Sequence, residues 1–214
     1  MAKPPRIEKL FFDGPMGRLE AILEIPADIA PVGAAVVLHP HPQHGGTMHN
    51  KVAYTLARAF VQEGFVALRF NFRGTEGSEG EYDEGVGELQ DALAAVGWLR
   101  ERYPDLPFWL GGFSFGGAIA IRTAVAIPVD GLISVAPAVY RFANGLEQQP
   151  AVPWLIVQGD EDELVPVDDT VDWVNGLEPG PELLVLSGAE HFFHGRLVEL
   201  RENVVDFVGR SRQA

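Results

Sequence analysis

A serine lies between two glycines in the run Gly112-Phe113-Ser114-Phe115-Gly116, directly after the apolar run Pro107-Phe108-Trp109-Leu110. A strand followed by G-x-S-x-G and a helix is typical of a nucleophile elbow, in which a strained turn holds the serine hydroxyl outward. Glycines two positions before and after the serine let the strand and the helix pack closely. The motif predicts that Ser114 is a nucleophile.

A serine hydroxyl needs a base within hydrogen-bond reach, and the base needs a carboxylate that fixes its tautomer. In a triad of this kind the chain order is serine, acid, histidine, which leaves His191 and His194 among the six histidines. His191 follows the last predicted strand, in a loop that can reach the strand ends beside Ser114, so we predict that His191 is the base. His194 lies beside the last helix and is predicted to be a surface or capping residue.

The acid of the triad is expected in the loop after the preceding strand, where residues 160–163 read Asp-Glu-Asp-Glu. Residue types and spacing do not choose among these four carboxylates. Those that are not the acid are expected to form a solvated acidic turn. The run lacks the glycine and the distal glutamate of an EF-hand loop, which disfavours a calcium site.

An oxyanion hole is also required, because N–H donors must face the carbonyl oxygen as it becomes negative. One donor is predicted to be the backbone N–H of Phe115, the residue after the nucleophile. The second is expected in the loop that begins His39-Pro40-His41-Pro42. Proline has no N–H, so within this loop start we predict that the backbone of His41 is the second donor.

The elements that must position these residues alternate between strands and helices. Apolar runs predict strands at residues 7–12, 18–25, 34–38, 65–70, 107–110, 132–135, 153–157 and 182–186. Helical spacing predicts helices at residues 51–62, 86–99, 116–126, 168–175 and 195–208, the first capped by Asn50. We predict an α/β fold with a mostly parallel, doubly wound sheet and antiparallel N-terminal edge strands.

Composition narrows the class of protein. The 214 residues, 47% of them hydrophobic, suit a single domain over residues 1–214. No apolar run approaches the roughly 18 residues of a membrane span, and the N-terminus has no apolar signal segment, so a cytoplasmic protein without membrane association is expected. The net charge of −14 disfavours nucleic acid as a partner, and the lack of cysteine excludes disulfides and a cysteine nucleophile.

Three groups of motifs carry a resemblance to a known family. They are His39-Pro40-His41-Pro42 with residues 45–51, Asn71-Phe72-Arg73-Gly74 with residues 77–80, and the run 112–117. Together they resemble the small lidless α/β-hydrolases related to dienelactone hydrolase, over nearly the whole chain. The resemblance implies an α/β-hydrolase fold without a separate lid domain and a serine esterase. Dienelactone hydrolase itself uses a cysteine nucleophile, so its substrate is not transferred to this chain.

The same resemblance selects the acid. In that family the acid belongs to a D-x-x-V-P pattern, which here selects Asp162, and the base belongs to G-A-x-H-F-F, which here is His191. We therefore predict a serine hydrolase that cleaves small carboxylic esters through an acyl-enzyme intermediate and needs no metal or organic cofactor. Aromatic residues at the same sheet edge predict an apolar pocket lined by Phe72, Tyr140, Phe142 and Phe192.

Three alternatives remain from the sequence. His39, His41 and His44 resemble the H-x-H-x-D-H ligand run of metallo-β-lactamase-type hydrolases and suggest a metal-dependent hydrolase, although Gln43 stands where that run has its acid. The second alternative is a non-catalytic binding protein that has the fold without the activity. The third alternative is acyl transfer to an acceptor other than water.

Overall fold

The computed structural model describes residues 3–143 and 148–212. Its strands are β1 (Arg6–Gly14), β2 (Gly17–Ile25), β3 (Gly33–Leu38), β4 (Phe65–Phe70), β5 (Phe108–Phe113), β6 (Gly131–Val135), β7 (Trp154–Gly159) and β8 (Glu182–Leu186). They form one sheet in the order β1-β2-β4-β3-β5-β6-β7-β8. β2 pairs antiparallel with β1 and β4, whereas all other neighbours are parallel. The predicted fold class is confirmed.

Helices cover both faces of this sheet. They are α1 (Lys51–Gln62), α2 (Val86–Arg102), α3 (Phe115–Ala126), α4 (Val139–Phe142), α5 (Val167–Asn175) and α6 (Leu197–Ser211). α1 and α6 pack on one face, and α2, α3 and α5 pack on the other. As predicted, Asn50 caps α1, because its side-chain oxygen accepts from the N–H groups of Val52 and Ala53.

The central strands are apolar throughout because both of their sides are covered. In β3 the side chains of Ala34, Val36 and Leu38 join the cluster under α2 and α3, whereas Ala35 and Val37 join the cluster under α1 and α6. Every residue of β3 is buried. This arrangement accounts for a continuous apolar run where a half-exposed strand would alternate.

The parallel strands end at one edge of the sheet, and the predicted site residues follow these ends. β5 extends three residues beyond its predicted end, because Gly111 and Gly112 continue the ladder opposite Val37 and Leu38. Ser114 therefore follows directly on the last strand residue. The loops after β3, β7 and β8 carry His41, Asp162 and His191 to the same edge.

The segment between β6 and β7 is a wall of the site. Within the described residues it contains one helix, α4, of four residues, and these residues form no separate lid domain. The N–H of Ala138 donates to the carbonyl of Ser114 at 3.1 Å, which ties this wall to the elbow. Residues 144–147, which lie between α4 and β7, are outside the described residues. No helix in the described ranges is long and apolar enough to span a membrane.

Candidate active site

Ser114 has the backbone conformation of a strained elbow. Its φ is 54° and its ψ is −116°, a combination that side-chain-bearing residues rarely adopt. A Cβ atom on Gly112 would meet the backbone of Gly116, and one on Gly116 would meet the carbonyls of Leu38 and His39. Both glycines are thus needed for the close approach of strand, helix and the loop after β3.

The structure brings Ser114, His191 and Asp162 into one hydrogen-bonded chain. The Oγ of Ser114 lies 3.1 Å from Nε2 of His191, and Nδ1 of His191 lies 2.8 Å from Oδ2 of Asp162. An ionised carboxylate only accepts, so Nδ1 carries the proton and Nε2 is free to accept the serine proton. This is the tautomer that a general base requires.

Asp162 is surrounded by donors. Its side chain is fully buried, and its Oδ1 accepts from the backbone N–H groups of Leu164 at 2.9 Å and Val165 at 2.7 Å. Burial acts to raise the pKa of Asp162, but the hydrogen bonds from His191 and these amides outweigh it, so the pKa lies below its ordinary value. The carboxylate therefore stays ionised beside the imidazole at neutral pH.

The neighbouring residues Asp160, Glu161 and Glu163 are exposed, as expected of a solvated acidic turn, but they also bond to the loop that carries His191. Asp160 accepts from the N–H of Gly188 at 2.6 Å, and Glu163 accepts from the N–H of His191 at 3.3 Å. The backbone N–H of Glu161 donates to the carbonyl of Ala189 at 3.1 Å. These bonds join the loop after β7, which carries Asp162 (the acid loop), to the loop after β8, which carries His191 (the base loop). A sequence cannot show them, because the bonded residues lie 28 positions apart.

The two predicted oxyanion donors flank the elbow. Phe115 is the first residue of α3, so its N–H has no acceptor within the helix. Neither this N–H nor that of His41 donates to another residue of ranges 3–143 and 148–212. Free N–H groups at a helix N-terminus favour a developing negative charge. An oxyanion donor must be unoccupied in this way, so the N–H groups of Phe115 and His41 meet that requirement.

His39 anchors the loop that carries His41. It is fully buried; its Nε2 accepts from the N–H of Phe72 at 3.0 Å, and its Nδ1 donates to the carbonyl of Pro40 at 2.6 Å. Burial lowers the pKa of His39 to about 4, although the bond to Pro40 acts in the opposite direction. A neutral imidazole thus holds the peptide that joins Pro40 to His41.

Phe72 does not line the substrate pocket, which corrects the prediction. It is fully buried, and its ring packs edge-on against Phe115 with centroids 5.6 Å apart and against His39 at 4.7 Å. It follows β4 and does not belong to the lining of the cavity at Ser114. The aromatic side chain supports the two loops that carry the oxyanion donors.

The other three predicted pocket residues line a cavity of about 460 Å³ that opens at Ser114 and His191. Tyr140 and Phe142 contribute from α4, and Phe192 contributes from the loop after β8. Leu164, Val165 and Val139 add to an apolar lining, whereas Arg141 and Asp169 are its charged members. The cavity suits an apolar substrate group beside the serine.

The His41 ring packs among aromatic side chains at this cavity. Its Nδ1 accepts from the N–H of Gln43 at 3.2 Å, so Nε2 carries the proton and donates to the hydroxyl of Tyr82 at 3.1 Å. Burial, together with the charges of His44 and Arg141, lowers the pKa of His41 to about 4. The ring is therefore neutral at physiological pH.

The histidines of the metal alternative are engaged in other contacts. Both ring nitrogens of His39 bond to backbone groups, and both of His41 bond to Gln43 and Tyr82. Among the described residues, no group of three or more His, Cys, Asp or Glu side chains is arranged to hold a metal ion. The side chains of His39 and His41 are therefore not arranged as metal ligands, although their spacing resembles a metal-ligand run.

His194 is an exposed residue, as predicted. Its side chain hydrogen-bonds to Glu190, one turn before it, and does not join Ser114 or Asp162.

A buried amide beside the acid was not predicted from the sequence. Gln158 lies inside β7, and its Nε2 donates to Oδ2 of Asp162 at 3.0 Å. The available signal is a polar residue that ends the apolar run 154–157, four positions before the acid. A polar side chain in a strand covered on both faces must find a partner.

Comparisons with known proteins agree on the fold and on the class of serine hydrolases. The family model Hydrolase_4, described as serine aminopeptidase, S33, matches residues 33–146. An alpha-beta serine hydrolase homologue from Coxiella burnetii is 47% identical, covers 93% of this chain and 96% of its own, and has a TM-score of 0.88. A lidless α/β serine hydrolase from Xanthomonas campestris is 38% identical over 98% of this chain and 97% of its own, with a TM-score of 0.92. An uncharacterised protein of Rickettsia prowazekii is 36% identical over 94% of this chain and 88% of its own length.

Proposed function

This chain belongs to the Hydrolase_4 family of α/β serine hydrolases, and on that premise we propose that it hydrolyses carboxylic esters through an acyl-enzyme formed on Ser114. The observation that carries the proposal is the chain of hydrogen bonds from Ser114 through His191 to Asp162, at 3.1 and 2.8 Å. Ser114 has a base within hydrogen-bond reach, and His191 has the carboxylate partner and the tautomer that nucleophilic catalysis requires.

The proposed reaction has two halves. Oγ of Ser114 bonds to the ester carbonyl carbon as its proton passes to Nε2 of His191, and the carbonyl oxygen becomes negative beside the N–H groups of Phe115 and His41. The imidazolium then gives its proton to the leaving alcohol oxygen as the C–O bond breaks. In the second half, water gives a proton to Nε2 as its oxygen bonds to the acyl carbon. The bond between the acyl carbon and Oγ then breaks, and the imidazolium returns the proton to Oγ, which releases the acid and restores the serine.

Asp162 is proposed to hold and stabilise the His191 imidazolium. We expect Asp162→Asn to lower kcat by about 10²- to 10³-fold with little change in KM. The amides of Leu164 and Val165 bond to Oδ1 and would retain the asparagine oxygen there, which turns its NH₂ group toward His191. The imidazole would then carry its proton on Nε2 and could not accept from the serine. Steady-state kinetics on a p-nitrophenyl ester measures the loss.

Asp160→Asn is the matched control. The Asp160 side chain accepts one hydrogen bond, from Gly188, and an asparagine oxygen can accept it equally. We expect kcat within about twofold of wild type, because a neutral acceptor replaces a charged one at an exposed site. A larger loss in Asp160→Asn than in Asp162→Asn would contradict the assignment of the acid.

Small, neutral acyl esters are the substrates that we propose. The wall between β6 and β7 is tied to the elbow through Ala138, and within the described residues it has one short helix, which is too little for a mobile cap. The net charge of −14 disfavours polyanionic substrates. The apolar part of the cavity favours short alkyl or aromatic acyl groups.

The substrate proposal is tested with p-nitrophenyl esters from acetate to palmitate, with and without micelles, beside p-nitroanilides of amino acids. We expect the largest kcat/KM on short acyl chains, no rise at the critical micelle concentration, and slower anilide cleavage. A maximum on palmitate would contradict the small-acyl proposal. Faster turnover of the anilides would favour the aminopeptidase activity in the family's description over ester hydrolysis.

A further inference from the structure

Gln158 is a buried polar residue that the proposed reaction does not use. It is fully buried near the end of β7, after the apolar residues Trp154, Leu155, Ile156 and Val157. Burying an amide costs free energy unless its donors and acceptor find partners. Apart from a long contact to the carbonyl of Gly159 in β7, at 3.4 Å, its side-chain partners lie in the acid loop or in α5.

The partners of Gln158 determine its orientation. Nε2 donates to Oδ2 of Asp162 at 3.0 Å and to the carbonyl of Val165 at 2.9 Å, and Oε1 accepts from the hydroxyl of Thr170 at 3.2 Å. Thr170 belongs to α5 and is fully buried. A flipped amide would place its oxygen against two acceptors, so one orientation satisfies the network.

The Asp162 carboxylate is thereby held on both oxygens. Oδ1 accepts from two backbone amides, and Oδ2 accepts from His191 and from Gln158. The Gln158 bond is the one side-chain contact, within the described residues, that fixes Oδ2 other than His191 itself. Without it, the oxygen that faces the imidazole would lose a restraint on its orientation.

We propose that Gln158, held in place by Thr170, is a positioning residue that fixes the Asp162 carboxylate against His191. This inference rests on the proposed function, because it acts through the proposed triad. Two consequences follow. The loss of the Gln158 donor loosens the geometry of the base, which lowers the nucleophilicity of Ser114. It also leaves more negative charge on Oδ2, which favours a protonated imidazole. The midpoint of the acidic limb of Ser114 reactivity then moves to higher pH.

Other charged groups near His191 are unchanged by substitution at Gln158. Glu163 bonds to the backbone N–H of His191, and Arg141 and Asp169 line the same cavity. The His191 ring itself packs on Phe113 and Phe192. A shift in the pH dependence on substituting Gln158 is therefore transmitted through Asp162.

The test measures the rate of Ser114 labelling by a fluorophosphonate as a function of pH, because this readout needs no natural substrate. In Gln158→Met, a variant of similar size without the amide, we expect the plateau rate to fall about tenfold. We also expect the midpoint of the acidic limb to rise by about 0.5 to 1 pH unit. Gln158→Glu places a second carboxylate beside Asp162, and we expect a still higher midpoint.

Two further variants separate positioning from folding. Ile156→Ala removes a buried side chain from the same strand and should lower the Tm while the labelling rate and midpoint stay at wild-type values. Thr170→Val keeps the shape but removes the bond to Oε1, and we expect a two- to threefold lower rate, on the order of part of one hydrogen bond. Because Thr170 acts through Gln158, the double variant should be no slower than Gln158→Met. Thr170→Val also provides the test if Gln158→Met fails to fold.

The outcomes distinguish the two proposals. Wild-type protein that is not labelled at Ser114 overturns both the proposed function and this inference. Labelling at Ser114 with equal rates and midpoints in wild type, Gln158→Met and Thr170→Val overturns the positioning role alone. An equal loss of rate in Ile156→Ala and Gln158→Met, with no change of midpoint in either, would show that Gln158 serves only the stability of β7.

Discussion

Ser114→Ala is expected to lower ester turnover by at least about a thousandfold and to abolish labelling by a fluorophosphonate. The wild-type protein should take up one probe molecule, at Ser114, because its hydroxyl lies 3.1 Å from an imidazole nitrogen that can accept its proton. Alanine removes the attacking oxygen but keeps the Cβ atom of the serine, so the backbone of the elbow should keep its conformation. Intact-protein mass spectrometry with peptide mapping measures the adduct, and p-nitrophenyl ester kinetics measures the turnover.

Ser187→Ala is the matched control for this variant. Ser187 is exposed in the loop before His191, but its hydroxyl has no base among the described contacts, so labelling and turnover should stay at wild-type values. Treatment with EDTA should also leave turnover unchanged. Turnover that survives in Ser114→Ala would remove the serine mechanism, and loss on EDTA with recovery on adding zinc would favour the metal alternative instead.

His191→Ala is expected to lower kcat by about 10³-fold or more with a small change in KM. The imidazole accepts the serine proton in the first half of the reaction and the water proton in the second, so its loss affects both halves. Steady-state kinetics with a p-nitrophenyl ester measures both kcat and KM.

His194→Ala tests whether the position of the histidine matters. This residue lies three positions from His191, is exposed and pairs with Glu190, so we expect near wild-type kcat. The double variant Ser114→Ala with His191→Ala should be little slower than either single variant, because the two residues act as a unit. A loss in His194→Ala as large as that in His191→Ala would contradict the assignment of the base.

Local pattern determined much of this protein. The bounds of α1, β4 and β8 match those expected from the apolar spacing, because burial of one face or of both faces repeats along the chain. The glycines at positions 112 and 116 indicated the elbow, because close backbone approach tolerates no Cβ atom there. The order of serine, acid and histidine then followed from the fold class.

Contacts between distant segments decided the rest. Residue types did not select Asp162 over Asp160 without a family resemblance, and the structure shows the physical difference between them: Asp162 is enclosed by donors beside the imidazole, whereas Asp160 bonds to a backbone N–H of the neighbouring loop. Phe72 looked like a pocket residue because its loop ends at the right edge. Its side chain is instead buried against Phe115 and His39, and no sequence pattern specifies that direction.

For the same reason, the sequence did not predict the contact of Gln158 with Asp162 or the anchoring role of His39. A buried polar side chain is set by the partners that surround it, and here those partners come from other strands, loops and helices. Spacing along the chain reports which face of an element is apolar, because neighbouring residues share that element. It does not report which distant donor meets which acceptor, because that depends on how the packed elements are arranged in three dimensions.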